Sequence, residues 1–240
     1  MSNLEELTLY VCIINQFTFV NGTHLHNEIL IHMPRPPTFN FYISTKNHSD
    51  DTTHRVSNDD SQRTFENTDL YQMACILDYF DTFNTVCHIF SLPFIFKRLK
   101  QITNNLLSII FRSVTHLELQ DKVPFKHEFF IQVTRVFPSL KSLSIKNIRP
   151  QFYGSYKYPM VANCSYSMIK YPHLISLDLS FVSIDYVDQF LSEFKKKYLS
   201  YLTELKVIYD QKKLELKDKS KVFEYIVEDN GRLNFEETYI

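Results

Sequence analysis

The fold is indicated by a short pattern that this chain repeats, as FPSLKSLSI at residues 137–145 and as YPHLISLDL at residues 171–179. In both copies an apolar residue is followed by two free positions, a second apolar residue, one free position and a third apolar residue. Further copies are VTHLEL (114–119), LTELKV (202–207) and LEELTL (4–9), with a degenerate copy in PPTFNF (36–41). From residue 117 onward the middle leucines lie 26, 34 and 28 residues apart. Repetition at such a period is the signature of a protein built from stacked structural units.

Each copy predicts a short β-strand, because apolar and polar residues alternate in it and strand side chains alternate between two faces. The predicted parallel strands cover residues 5–10, 38–42, 86–90, 115–120, 141–146, 175–180 and 203–208. The apolar residues of the pattern are predicted to be buried: Leu7, Leu9, Leu117, Leu119, Leu143, Ile145, Leu177, Leu179, Leu205 and Val207. One unit cannot bury its own apolar face, so neighbouring units must stack.

Helical patterns follow most of these strands. Residues 23–33, 125–137 and 184–194 each place apolar side chains three and four residues apart, which is the spacing of one helix face. Weaker candidates are residues 70–80, 94–103 and 162–170. The alternation predicts an α/β leucine-rich-repeat solenoid, with a curved parallel sheet on the concave side and helices on the convex side. The alternative is a doubly wound α/β domain, whose strands usually form continuous apolar runs.

The chain resembles the F-box/leucine-rich-repeat family, and in particular a lineage-expanded invertebrate set of such proteins. The resemblance covers residues 4–210 and lies in the strings ILIHMPRPPTFNFYIS, ACILDYFDTFNTVCHIFSLPFIFKRLKQITNN, SVTHLELQDKVPFKHEFF, FPSLKSLSI, YPHLISLDL and LTELKV. It implies a protein-binding module that acts as the substrate-recognition part of a ubiquitin ligase. Residues 4–9 already match a repeat strand. We therefore expect the repeats without the F-box, and a ligase adaptor as partner only where an F-box precedes Met1.

Three regions of the chain follow from this pattern. Residues 1–210 are predicted to form the leucine-rich-repeat domain, with a polar loop insertion at residues 45–67. Residues 211–240 form a charged C-terminal segment, in which residues 220–230 are a candidate capping helix that ends before Gly231.

Composition excludes several classes of protein. The chain has 240 residues, a formal net charge of -1 and 3 glycines, so it lacks both a basic excess and the glycine-rich phosphate loops. Because the charge is balanced, we expect no binding to nucleic acid. We expect no binding to membrane, because no signal peptide or membrane-length apolar run is present. The expected oligomeric state is a monomer. The 4 cysteines form no C-x-x-C pair. They predict buried reduced thiols, as in the cytoplasm or nucleus.

The candidate chemical sites do not converge. His24, Glu28 and His32 lie four residues apart on one predicted helix face, and ligands two turns apart rarely meet at one metal ion. Cys87 and His88 are strand neighbours, so their side chains point to opposite faces and cannot act as nucleophile and base. We therefore assign no catalytic, metal or cofactor residues and predict no enzyme. The alternatives to a binding module are a small α/β enzyme of unknown reaction and a degenerate repeat fragment without a present function.

The predicted binding surface is the concave face of the sheet. If the apolar residues of each strand point inward, the residues between them must point to the open face. This reasoning gives a partner-binding set of Tyr10, Tyr42, His116, Glu118, Gln120, Lys146, Asp178, Glu204 and Lys206. A protein or peptide is the expected partner, because tyrosines and charged pairs often supply the energy and specificity of protein interfaces.

Overall fold

The computed structural model describes residues 6–16, 20, 23–24, 27, 38–48, 72–79, 84–149, 170–183, 186–187, 190, 201–208, 222–227 and 232–238. The chain forms two compact units. The N-terminal unit is Met1–Lys97 with Phe111–Ser113, and the C-terminal unit is Arg98–Ile110 with Val114–Ile240. The sequence predicts one domain over residues 1–210, whereas the structure divides that range near residue 97.

The N-terminal unit contains a four-stranded mixed sheet. Its strands are β1 (Glu6–Gln16), β2 (Thr38–His48), β3 (Met73–Tyr79) and β4 (Asn84–Ser91), in the order β1-β2-β4-β3. Strand β1 pairs parallel with β2, as predicted. Strand β4 pairs antiparallel with both β2 and β3, so the prediction of a parallel strand at residues 86–90 is wrong in its direction.

Both faces of this sheet are buried around β2, β3 and β4. On one face lies an apolar core of Phe39, Phe41, Ile43, Cys75, Leu77, Cys87 and Ile89. On the other face Tyr42, His88 and Phe90 are all 0% exposed. In the centre of these strands adjacent residues are buried on both faces, and this removes the one-sided pattern on which the expectation of an open face rested.

Two predicted helices are strands. Residues 70–80 contain β3, and residues 94–103 contain β5 (Arg98–Ile102). Apolar runs of this length do not distinguish a buried strand from a buried helix, so periodicity alone misassigned them. Pairing decides the outcome, since β3 completes a ladder with β4 and the side chains of Leu99 and Ile102 are buried beside Leu117 and Leu119.

The C-terminal unit contains a seven-stranded sheet. After β5 come β6 (His116–Gln120), β7 (Ser142–Asn147), β8 (Ser176–Val182), β9 (Glu204–Ile208), β10 (Val222–Val227) and β11 (Arg232–Thr238). The order is β10-β11-β9-β8-β7-β6-β5. Strands β5 to β9 are all parallel, and each lies next to its predecessor in the chain. Strand β11 is antiparallel to β9 and to β10.

The same backbone contacts recur from one repeat to the next in this unit. The carbonyl of Thr115 accepts hydrogen bonds from the amides of Lys141 and Ser142, and the carbonyls of Lys141 and Ile175 each accept two from the following repeat. The Phe-Pro and Tyr-Pro turns also match, because Leu140 donates to Phe137 and Leu174 donates to Tyr171. The sequence repeat is therefore also a repeat of local structure.

The helix α1 (His127–Val136) connects β6 to β7, as the sequence predicts for residues 125–137. It buries Phe129, Phe130 and Val133, which lie three and four residues apart. The ring of Phe130 lies 5.1 Å from that of Phe190, which is helical after β8 together with Tyr186 and Val187. Thr23, His24 and Asn27 are helical too, whereas most of residues 162–170 lie outside the described ranges.

Burial confirms the register of the C-terminal unit. Leu117, Leu119, Leu143, Ile145, Leu177, Leu179 and Val207 are all at most 3% exposed. Leu205 is only half-buried. Leu7 and Leu9 are also half-buried, because β1 is the outermost strand of its sheet and only one of its sides is covered by β2.

Two predictions near the edges of the repeats are wrong. The capping helix at residues 220–230 is instead strand β10, which pairs with β11 from Val222↔Thr238 to Val227↔Leu233. Strand β10, VFEYIV, is rich in β-branched and aromatic residues, which favour strands. The polar insertion at residues 45–67 begins later than expected, since Thr45 and Asn47 are buried within β2. Residues 49–67 lie outside the described ranges.

Candidate interaction face of the parallel sheet

One face of the parallel sheet carries rows of polar side chains. Residues that are paired across neighbouring strands point to the same side of a sheet, so each set of partners forms a row perpendicular to the strands. The first row is His116, Ser142, Ser176 and Glu204, and the second is Glu118, Ser144, Asp178 and Lys206. All eight are half-buried or exposed. We call the side of the sheet formed by these two rows and the adjoining Gln120 and Lys146 the polar face.

Two ion pairs neutralise most of the charge on the polar face. Lys146 Nζ lies 2.9 Å from Glu118 Oε1 and joins β7 to β6. Lys206 Nζ lies 2.9 Å from Glu204 Oε1 on the same strand. The hydrogen bond from Lys206, followed by one from Ser176, lowers the pKa of Glu204 below its ordinary value of 4.5. These lysines are therefore already engaged with carboxylates of the protein itself.

Asp178 has a different environment from the other two carboxylates. Its Oδ1 accepts a hydrogen bond from the backbone amide of Ser180 at 3.0 Å. Of the ion pairs among described residues, those on this face involve Glu118 and Glu204 and leave Asp178 without a cationic partner. Asp178 thus contributes a net negative charge at the centre of the polar face.

A β-bulge in β8 places an aromatic ring on the polar face. Ser144 pairs with Asp178, but two residues further along β7 Lys146 pairs with Phe181, so β8 contains one extra residue. Simple alternation would turn Phe181 toward the buried side. Instead it lies beside Lys146 and is 57% exposed.

A network of side-chain amides fixes the ends of the strands that carry this face. Asn104 donates its backbone and side-chain N–H groups to Asp121 Oδ2, at 2.9 and 2.8 Å. Asn104 and Asn147 both donate from Nδ2 to the carbonyl of Val123, at 3.1 and 2.7 Å. Asn147 is 2% exposed, so its bond to the Val123 carbonyl gives a buried side-chain amide a partner in the preceding repeat. These hydrogen bonds hold the carboxyl ends of β5, β6 and β7 together.

The structure brings seven of the nine predicted binding residues onto one face. His116, Glu118, Gln120, Lys146, Asp178, Glu204 and Lys206 all lie on the polar face. The prediction for Tyr42 is wrong, because this residue is 0% exposed and its hydroxyl lies 2.9 Å from His88 Nδ1. Tyr10 is 40% exposed but lies in the N-terminal unit, with its ring stacked on Tyr42 at 4.7 Å.

Sequence reasoning missed two residues of the same face. Arg98 pairs with His116 at the edge of the sheet, and it was overlooked because its segment was assigned to a helix. Phe181 was overlooked because nothing in the pattern of apolar residues predicts the bulge. The alternation in DLSFV runs intact through Phe181, and the pairing with β7 is what reveals the extra residue.

The paired candidates Cys87 and His88 have structural environments. Cys87 lies in the apolar core and His88 on the opposite face of the sheet, as predicted. Cys87 Sγ lies 3.6 Å from Cys75 Sγ, and this hydrogen bond, with burial, raises the pKa of the Cys87 thiol. Cys12, expected to be buried, is exposed on the outermost strand β1. Of the metal-site candidates, His24 is exposed, and Glu28 and His32 lie outside the described residues.

The described part of the chain indicates neither a metal site nor a membrane-spanning helix. Within it, no group of three or more His, Cys, Asp or Glu side chains could hold a metal ion. No helix in these ranges has the length and apolarity that crossing a bilayer requires. No protein-family model, curated protein or solved structure matches this chain.

Proposed function

We propose that this chain is a leucine-rich-repeat protein-binding module that holds a protein or peptide partner on the polar face. The observation that carries the proposal is the arrangement of the rows. Four adjacent parallel strands, β6 to β9, each contribute one residue to each row, and the residues between the rows are buried in β6, β7 and β8 and half-buried in β9. A rigid strand scaffold under exposed polar side chains gives a partner a surface that needs little ordering on binding.

Three features support the leucine-rich-repeat solenoid as the architecture of the C-terminal unit. Strands β5 to β9 follow one another in space in the order of the sequence. The backbone hydrogen bonds of successive repeats match. In a doubly wound sheet the strand order reverses at a switch point, and β5 to β9 contain no such reversal. The antiparallel β4 restricts this proposal to the C-terminal unit.

The resemblance to F-box proteins supplies a cellular role for the same surface. On this proposal the module acts without catalytic residues as the substrate-recognition part of a ubiquitin ligase, in the cytoplasm or nucleus. Its ligase adaptor would bind an F-box upstream of the repeats. The polar face would then hold the protein to be modified.

Charge reversal on the polar face tests the binding role. Peptides are first selected from a random library displayed on phage, with the whole chain as bait. Their affinities are then measured for the wild type and for the Glu118→Lys/Asp178→Lys double variant. We expect Kd to rise about tenfold or more, because reversed charges cost several kcal/mol at an interface.

The matched control is Glu128→Lys, which makes the same charge change on the exposed side of α1. It should leave Kd within about twofold, which is less than 0.5 kcal/mol. Equal losses from the control and the double variant, or no loss from either, would contradict binding on the polar face. Denaturant titration of each variant checks that the fold is intact.

A further inference from the structure

The charge on the polar face is unevenly distributed. Lys146 Nζ and Lys206 Nζ each lie 2.9 Å from a glutamate Oε1 atom, so the pairs Lys146–Glu118 and Lys206–Glu204 are neutral. Asp178 lies between Ser144 and Lys206 in its row, and the ammonium of Lys206 is held by Glu204. Arg98 is exposed on the same face, but on the edge strand β5, three strands away from β8. The carboxylate of Asp178 is therefore the charge on β8 that a partner can complement, and a cation is the complement.

Apolar surface lies next to this carboxylate in the direction of the strand ends. The bulge puts Phe181 on the polar face at the next position along β8 from Asp178. Ile148 directly follows the last residue of β7 and is 80% exposed. Phe181, which pairs with Lys146, and Ile148 are thus two exposed apolar side chains near the carboxyl ends of neighbouring strands, and together they provide the apolar surface.

The distance between the carboxylate and the apolar surface sets the spacing of a ligand. Successive side chains on one face of a strand are about 6.6 Å apart, because each residue advances about 3.3 Å. An extended peptide that lies along β8 presents its own alternate side chains at the same spacing. A basic residue on Asp178 therefore brings the residue two positions away to Phe181 and Ile148.

We infer that the polar face binds an extended protein segment that carries an arginine or lysine on Asp178 and an apolar residue two positions away on Phe181 and Ile148. The inference rests on the proposed function and names the partner's chemistry. The aliphatic stem of the basic side chain can pack against the exposed ring of Phe181 while its charge reaches the carboxylate. Hydroxyl groups of Ser142 and Ser144 line the adjoining strand β7 and can bond to the segment's backbone.

Sequences from the phage selection give the first test. We expect a basic residue two positions from Leu, Ile, Met or Phe to be enriched in the selected peptides, and this enrichment to disappear when Asp178→Asn is the bait. Asparagine keeps the oxygen that accepts the Ser180 amide hydrogen, so the bulge is retained. Selected peptides without a basic residue would overturn the inference.

A double-mutant cycle gives the second test, on one enriched peptide labelled with fluorescein. Asp178→Asn should raise its Kd about tenfold or more, because a hydrogen bond to a charged group contributes about 1.5 kcal/mol or more. The same variant should not change the Kd of the analogue in which the peptide's basic residue is glutamine. Phe181→Ser should weaken both peptides, and Glu128→Gln on α1 neither. Equal losses for the two peptides with Asp178→Asn would refute the charge contact.

The outcomes separate this inference from the proposed function. Peptides that lose affinity with Glu118→Lys but not with Asp178→Asn would leave the polar face as the binding site and remove the basic anchor. Failure to enrich any peptide over a bait of serum albumin would count against both. If a free polyamine such as spermidine competes as well as the peptide does, a cation alone is bound. This result would also overturn the inference.

Discussion

The two units use similar strands but bury them in different ways. In β3 the adjacent residues Ile76 and Leu77 are both 2% exposed, although they point to opposite faces. In β8 the adjacent residues Leu177 and Asp178 differ, since Leu177 is 1% exposed and Asp178 is half-buried. A sheet that is covered on both sides serves as a core, whereas a sheet with one open side can also present a surface.

Burial on both sides requires the N-terminal unit to satisfy polar groups internally. Tyr42 bonds to His88, and Ser91 Oγ accepts the amide hydrogen of Phe41 at 3.0 Å. These residues are all at most 3% exposed. In the C-terminal unit the equivalent positions are serines and charged residues in contact with solvent, so they need no such partners. The same residue classes are therefore structural in one unit and available for binding in the other.

The largest expected effect tests this difference in burial directly. Ile76→Ala and Leu77→Ala should each cost about 2–5 kcal/mol, because both side chains are enclosed. In the C-terminal unit Leu177→Ala should cost a similar amount, whereas Ser144→Ala on the polar face should change stability by less than about 0.5 kcal/mol. Urea titration measures all four. A small effect of Ile76→Ala would show that one face of the N-terminal sheet is open after all.

A smaller effect is expected from the buried hydroxyl of Tyr42. Tyr42→Phe keeps the ring but leaves the buried His88 Nδ1 without this partner, which should cost about 1–3 kcal/mol. Tyr10→Phe is the matched control, since Tyr10 is 40% exposed and water can replace any bond of its hydroxyl. Equal costs for the two variants in urea titration would mean that Tyr42 faces solvent, as the sequence alone suggested.

The smallest effect concerns the solvated charges of the polar face. The pKa of Glu204 is lower in the folded chain than its ordinary value, so its pair with Lys206 stabilises the fold above that value. This stability is lost as the pH falls through the folded pKa. Because the Glu204 side chain is 49% exposed, we expect less than about 1 kcal/mol.

The measurement compares the stability of Glu204→Gln and wild type at pH 7 and at pH 2.5. The wild type should be slightly more stable at pH 7, and the difference should vanish at the acid pH. Addition of 1 M NaCl should reduce the difference at pH 7, because salt at about this concentration screens charges beyond about 3 Å. A difference that grows on acidification would give the opposite sign and refute the pairing.

The inward and outward faces of strands β6 to β9 in the C-terminal unit follow from the sequence pattern. In FPSLKSLSI and YPHLISLDL a strict apolar alternation follows a proline turn, and a strand with one polar side can bury its apolar residues in one way only. Shifting the register by one residue would expose Leu143 and Ile145 and bury Ser142 and Ser144. The positions of Glu118, Lys146, Asp178 and Lys206 on a common face follow from that constraint.

Tertiary structure alone decided the rest. MACILDY and NTVCHIFS are apolar on both faces, so their own pattern does not distinguish a helix from a strand and does not define the strand direction. The antiparallel pairing between the two segments determines both. Tyr42, like Glu118, belongs to the strand residues that alternate with the apolar residues of the pattern. It is nevertheless buried, because Phe90 and Phe94 pack beside it. Phe181 reaches the polar face through a one-residue bulge that depends on pairing with β7. Alternation specifies two faces of a strand, and only the neighbours that pack on each face decide which of them meets water.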